Sequence, residues 1–238
     1  MNIEAAIERP RPIKLTVDDF LLLRKSGAFV SYSKSELLEG ELWGVPVQDE
    51  DEPESDASYP IKLRIADYER LCDAGAFASQ RRTELINGLV YRMNPQYRPH
   101  GYAKDELAYR LRTALEAMGS DLHVATEQSV VLAPHNEPEP DIILTTAPRG
   151  PGAIPGESVA LLIEISASTA QFDLTEKAPA YAGSGIPEYW VVDLNARLVH
   201  QMWQPKGTDY AEQHEVPLGE PIEAATIHGL AVQTDGLS

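Results

Sequence analysis

VALLIEISASTAQFDLTEKAPAYAGSGIPEYWVVDL, residues 159–194, holds two apolar runs with a polar segment between them. The first run, Val159–Ser166, has the length and composition of a buried strand. Glu164 interrupts it. A carboxylate in such a strand must be paired or hold a cation, because burying it alone costs several kcal/mol. Leu174–Ala182 reads as a helix, with Asp173 as N-cap and Glu176 three residues on. The second run, Glu188–Leu194, reads as another strand and pairs with Leu198–Trp203 through a turn at Asn195. Tyr189 and Trp190 lie in an apolar strand and read as core aromatics.

Upstream, EPEPDIILTT (137–146) opens an apolar strand with Asp141, after two prolines that force an extended approach. Asp141 at one strand end, Glu164 on a neighbouring strand and Lys177 in the following helix form a minimal kit for hydrolysing a phosphodiester. Carboxylates gather Mg²⁺, the metal polarises the phosphate and its water, and a lysine helps deprotonate that water or steadies the developing charge. The same three residues also suit a blander arrangement: a strand-end Asp, a Glu paired with a base, and a solvated Lys. Pro179, two residues beyond Lys177, cannot donate a helical hydrogen bond and presses on the preceding turn, so a kink there would carry the ammonium away from the carboxylates.

Further outward, Ala103, Leu107, Leu111 and Leu115 recur every four residues as one apolar face of a helix that follows His100. HVATEQSVVL and DIILTT read as strands, and the tail after Trp203 as short extended stretches broken by Gly and Pro. The beginning of the chain contains a repeat. Residues 13–43 (IKLTVDDFLLLRKSGAFVSYSKSELLEGELW) align without a gap with residues 61–91 (IKLRIADYERLCDAGAFASQRRTELINGLVY). Each copy predicts a short helix ended by Gly27 or Gly75 and then a hairpin turning at Glu39-Gly40 or Asn87-Gly88. Between them PVQDEDEPESDASYP (46–60) has little to bury and reads as a linker. The expected organisation is a partial repeat at 1–45, an acidic linker at 46–60 and a main domain at 61–238. Only the second copy is followed by the helix and the carboxylate-bearing strands, so Glu36, the counterpart of Glu84, is not nominated.

The chain has 238 residues, 43% hydrophobic and 24% charged, as in a globular protein. It has no run of the roughly 20 apolar residues that a membrane span needs. The first 15 residues show no apolar export signal, and the lone Cys72 suits a reducing compartment, so a cytoplasmic location is expected. The net charge of -17 argues against a protein that coats nucleic acid non-specifically. The charge is uneven: residues 36–58 hold nine acids and no base, while residues 80–112 hold seven bases against three acids, the makings of a local basic surface.

ELINGLVYRMNP (84–95), His100, EPEPDIIL (137–144) and LLIEISASTAQFDLTEKAPAYAGSGIPEYWVVD (161–193) together resemble the Uma-two family of restriction-endonuclease-like proteins, a branch of the PD-(D/E)XK nuclease superfamily. The resemblance covers roughly residues 61–235 and is most specific at 161–193. It implies an α/β fold with a mixed central sheet flanked by helices, to which the N-terminal helix and hairpin are an addition. It makes Pro140-Asp141 the "PD" element and Glu164 the acid of the "(D/E)XK" strand. Ser166 stands where that motif has lysine, and Lys177 in the next helix takes the lysine's place. Glu84 matches an additional acid that would hold metal through water. By the same resemblance the Ile165 carbonyl would be a further metal ligand, and His100 and Ser166 would contact phosphate or support the site. The implied activity is Mg²⁺-dependent hydrolysis of DNA, with Mn²⁺ able to substitute, by a homodimer that needs two sites for two strands. The alternative is a nuclease-fold protein, weakly active or inactive, that binds nucleic acid or a protein partner.

Overall fold

The computed structural model describes residues 10–48, 56–80 and 82–237. The first nine residues, the linker acids Asp49–Glu54 and Arg81 of the basic stretch lie outside the described residues. Contacts divide the chain into two compact units, Arg11–Met93 with Ala133–Asn136, and Asn94–Leu132 with Glu137–Ser238.

The first unit contains both copies of the repeat: α1 (Val17–Lys25), β1 (Tyr32–Leu38), β2 (Glu41–Pro46) and β3 (Tyr59–Pro60), then α2 (Ile65–Asp73), β4 (Thr83–Ile86) and β5 (Leu89–Arg92). Thr16 caps α1: its hydroxyl accepts from the Asp19 amide, and Asp19 accepts from the Thr16 amide at 2.8 Å. Arg64 holds the matching position before α2, where Asp67 accepts from its guanidinium at 2.8 Å. Both hairpins turn through two residues of positive φ, Glu39-Gly40 and Asn87-Gly88, so the glutamate version of the turn is as tight as the asparagine one. One core serves both copies, with Leu15, Leu23, Phe29 and Leu42 packed among Leu63, Leu71, Phe77 and Val90.

In the second unit α3 (Arg98–Met118) precedes β6 (His123–Thr126), β7 (Val130–Val131), β8 (Ile142–Thr145), β9 (Ile154–Pro155) and β10 (Val159–Ser166). The helical segment that follows comprises α4 (Ala170–Phe172), a π-turn over Asp173–Lys177 and α5 (Ala178–Gly183). The chain ends in β11 (Glu188–Asp193), β12 (Leu198–Lys206), β13 (Asp209–Pro217), β14 (Pro221–Glu223) and β15 (Ala231–Gln233). Six strands form a mixed sheet in the order β13-β12-β11-β10-β8-β6, in which β10 and β11 are parallel and the other pairs antiparallel. The parallel pair needs a crossover, which the helical segment supplies. Strand alternation splits the core. Leu161, Ile163, Trp190 and Val192 pack with Leu107 and Leu111 of α3, whereas Leu162, Tyr189 and Val191 pack with Ala178 and Tyr181 of α5. The mixed sheet flanked by helices expected from the sequence is therefore present.

Three local expectations need correction. The helix predicted from Leu174 begins at Ala170, and Asp173 lies inside it rather than capping it, because its carboxylate is turned back to accept from Ser166 and from Thr169 at 2.9 Å. The tail after Trp203 is only partly made of short pieces: β14 and β15 have three residues each, but β12 and β13 form a hairpin of nine-residue strands through Gly207 at φ +63°. HVATEQSVVL is two strands rather than one, broken at Glu127, whose φ is +50°.

Candidate active site

Asp141 and Glu164 lie on neighbouring segments of the sheet. β8 and β10 run antiparallel with Leu162 opposite Ile143 and Ile163 opposite Ile142, Asp141 immediately precedes β8, and its Oδ2 meets the amide of Ile165, the residue after Glu164. Both carboxylates are buried, 5% exposed each. Two like charges so placed need donors, and each has them. Asp141 Oδ2 accepts from the Ile165 amide at 2.8 Å and lies 3.0 Å from His100 Nε2, while Oδ1 accepts from Gln96 Nε2 at 3.0 Å. Facing a carboxylate, Nε2 is the protonated ring nitrogen of His100, and buried Nδ1 has no hydrogen-bond partner among the described residues. His100 thus serves Asp141 from the first turn of α3 and does not cap the helix. Gln96 is itself held by Lys104 Nζ at 2.9 Å, and Lys104 pairs with Glu127 at 2.9 Å.

Glu164 Oε1 accepts from Lys177 Nζ and from Tyr181 Oη, both at 2.9 Å. Lys177 is fully buried. The kink expected at Pro179 does not carry it away. The π-turn closes with the Ala178 amide donating to the Asp173 carbonyl, and α5 then starts with Pro179 in its first turn, where no amide donor is needed. Lys177 and Tyr181, four residues apart across that junction, converge on one carboxylate oxygen.

Ser166 occupies the position where the strand motif has lysine, but it does not reach the carboxylate pair: its hydroxyl donates to Asp173 Oδ2. Burial pushes the Asp173 carboxyl above the usual range, against the opposing pull of Lys177 and of the two hydroxyls that it accepts. Burial also pushes Tyr189 well above its ordinary value, and its hydroxyl donates to the Asp173 carbonyl at 3.3 Å. Tyr189 and Trp190 are core residues as read from sequence, 0% and 1% exposed. Glu84 is buried on β4 in the first unit, opposite Tyr91. The convergence described above is of residues of the second unit.

Sequence reasoning missed Gln96, Tyr181 and the buried role of Asp173. Tyr181 was within reach, since a residue four positions after Lys177 shares its helix face. Gln96 sits in an irregular run before α3 and gives no periodic signal.

The donors at this site are hard oxygens, two carboxylates and a peptide carbonyl, the set that Mg²⁺ and Mn²⁺ take. The Ser166 carbonyl accepts from Leu194 on the β11 side, so strand alternation turns the Ile165 peptide toward the β8 side, where its amide meets Asp141. Its carbonyl points the same way. Among the described residues no group of three or more His, Cys, Asp or Glu side chains is gathered as a metal cluster, so any such ion would rest on the carboxylate pair and the carbonyl.

Comparison with known proteins places the chain in context. A crystal structure of a "putative nuclease belonging to DUF820 from Anabaena variabilis ATCC 29413" is similar at 15% identity with a TM-score of 0.47, over 61% of this chain and 84% of that one. No curated protein matches the sequence significantly. The family described as "Putative restriction endonuclease", Uma2, matches residues 65–235, well over half of the chain, from α2 through β15 and including Asp141, Glu164 and Lys177, and the protein belongs to that family.

Proposed function

We propose that the protein is a metal-dependent endonuclease that hydrolyses DNA phosphodiester bonds at Asp141, Glu164 and Lys177. The observation that carries the reading is that two buried carboxylates lie on adjacent sheet segments, Asp141 bonded to the Ile165 amide next to Glu164, while Glu164 is met by an ammonium from the next helix. Asp141, Glu164 and the Ile165 carbonyl would hold Mg²⁺, or Mn²⁺ in its place. Such an ion, when bound, polarises the phosphate and makes its water acidic enough to attack.

The chain's own residues do the rest. Lys177, held at Glu164, offers positive charge where negative charge builds on the phosphate oxygens. Tyr181 fixes the Glu164 oxygen that Lys177 uses. Gln96, the Ile165 amide and His100 fix both Asp141 oxygens, so the carboxylate is oriented before substrate arrives. Ser166 supports the site from behind through Asp173.

Asp141→Ala and Glu164→Ala are each expected to abolish Mg²⁺-dependent nicking of supercoiled plasmid by the purified protein, a loss of at least 100-fold on the order of other electrostatic catalytic deletions. Full activity in either variant overturns the assignment. A second reading, a nuclease-fold protein that binds without cutting, draws on the same ion pair: Lys177 already neutralises Glu164, which weakens the pull on a cation. Calorimetric titration with Mg²⁺ and Mn²⁺ separates the two. Binding that disappears in Asp141→Ala supports the enzyme; no binding to the unsubstituted protein supports the binding module.

A further inference from the structure

The repeat is more than a duplicated sequence packed nearby. Its two copies exchange contacts reciprocally, each residue numbered 48 higher in the second copy. The Ile13 amide of the first copy donates to the Val90 carbonyl of the second at 2.7 Å, and the Ile61 amide of the second donates to the Leu42 carbonyl of the first at 2.8 Å. Pro12 bridges Tyr91, and Pro60 pairs with Trp43. Within each copy, the Leu15 amide meets the Gly40 carbonyl and the Leu63 amide meets the Gly88 carbonyl, both at 3.0 Å. The core is made of the same matched pairs: Leu15 and Leu63, Leu23 and Leu71, Phe29 and Phe77, Leu42 and Val90. Contacts in which i meets j and j′ meets i′ define an isologous interface, the kind found between the two subunits of a two-fold dimer.

We infer that the helix–hairpin is a self-pairing module and that residues 12–46 stand in one chain where a second subunit would stand: they occupy the pairing face of residues 60–92 and would be replaced there by another copy of the same module. Three features support this reading. The exchanged strand pairing is main-chain bonding and does not depend on side chains peculiar to either copy. The residues that fill the shared core are interchangeable between copies, Leu23 for Leu71 and Phe29 for Phe77. The pairing edges of both hairpins are occupied within the chain, so the face is closed in the intact protein, and a homodimer of the intact chain would have to use another surface.

The experiment uses full-length chains carrying Leu23→Asp or Leu71→Asp, which place a charge in the matched core position of the first or the second copy. The two variants are denatured in urea, refolded separately and together, and weighed by native mass spectrometry. Refolded together they are expected to give a 1:1 complex of doubled mass, in which the sound first copy of one chain seats on the sound second copy of the other. The unsubstituted protein should not double its mass through this face. If the mixture contains only single chains, the inference is overturned. Should the charged variants fail to fold, a protease site placed between residues 48 and 56 of the unsubstituted chain provides the second measurement. After cleavage, heavy-isotope and light protein are mixed. Exchange of the N-terminal piece between chains supports the inference. A piece that never exchanges, or is lost to leave a remainder of single mass, rejects it.

Discussion

At the scale of single residues, Asp173 makes a pH-dependent statement about stability. Its folded-state pKa is raised, chiefly by burial, so the native chain keeps a proton that the unfolded chain releases from about pH 3.9 upward. Between that pH and the raised native value the unfolded state binds fewer protons, so stability falls as pH rises, by at most about 1.4 kcal/mol per pH unit, and stays lower above the window. Asp173→Asn keeps an oxygen for Ser166 and Thr169 but carries no titrating proton. The expected outcome is that the thermal midpoint of Asp173→Asn, relative to the unsubstituted protein, climbs across this window and then levels. Parallel midpoints at all pH values would show that Asp173 does not titrate between the two states. The placement of this residue was not legible in the sequence. An Asp three residues before a Glu at a helix start reads as an N-cap, and only the nearness of Ser166 and Thr169, set by the end of β10, turns it inward.

At the scale of elements, the turns of the repeat are the most constrained points. Gly40 and Gly88 have φ of +80° and +77°, and a Cβ on either would lie 2.6 Å from Lys14 Cβ or 2.5 Å from Lys62 Cβ. Left-handed backbone alone costs a non-glycine residue about 1–2 kcal/mol, and the overlap with the neighbouring chain adds to it. Gly40→Ala and Gly88→Ala are each expected to destabilise the first unit by about 2 kcal/mol or more in urea titrations. Because Ile61 donates to Leu42 and Ile13 donates to Val90, the damage should cross between copies: Gly40→Ala speeds hydrogen exchange at Ile61, and Gly88→Ala at Ile13. Exchange confined to the substituted copy would contradict the reciprocal pairing. Both hairpins and both short helices were legible from capping residues and turn dipeptides, and α3 from its four-residue period. What could not be read was how the copies meet, since local signals carry no information about which carbonyl accepts from Ile13. The π-turn was equally hidden. Pro179 announced an irregular helix, but whether the irregularity would deliver or remove Lys177 depended on Tyr181 and Glu164 waiting on the far side.

At the scale of the whole molecule, the net charge of -17 sets how the protein can approach a polyanion. The bases of the 80–112 stretch are not all available to phosphate. Lys104 is buried against Glu127, and Arg110 is bonded to Glu106 and to Asp235 at 3.1 Å. Elsewhere Lys177 serves Glu164, and Arg64 and Arg70 share Asp67. Affinity gained from counterion release scales with the number of phosphates neutralised, with a slope of log K against log salt of about -0.9 for each. A chain of this net charge, with several of its bases held by acids, is expected to engage about two or three phosphates, hence a slope of roughly -2 to -3 rather than the -6 to -9 of a basic DNA-coating protein. Fluorescence anisotropy of a labelled duplex, titrated with Asp141→Ala protein over a range of salt, measures it. A steep slope would mean that the arginines form a broad basic surface in spite of the net charge. A shallow one would place the burden of recognition on the carboxylate site, where bound divalent cations would offset the charge of both protein and phosphate, and weak affinity without metal would follow.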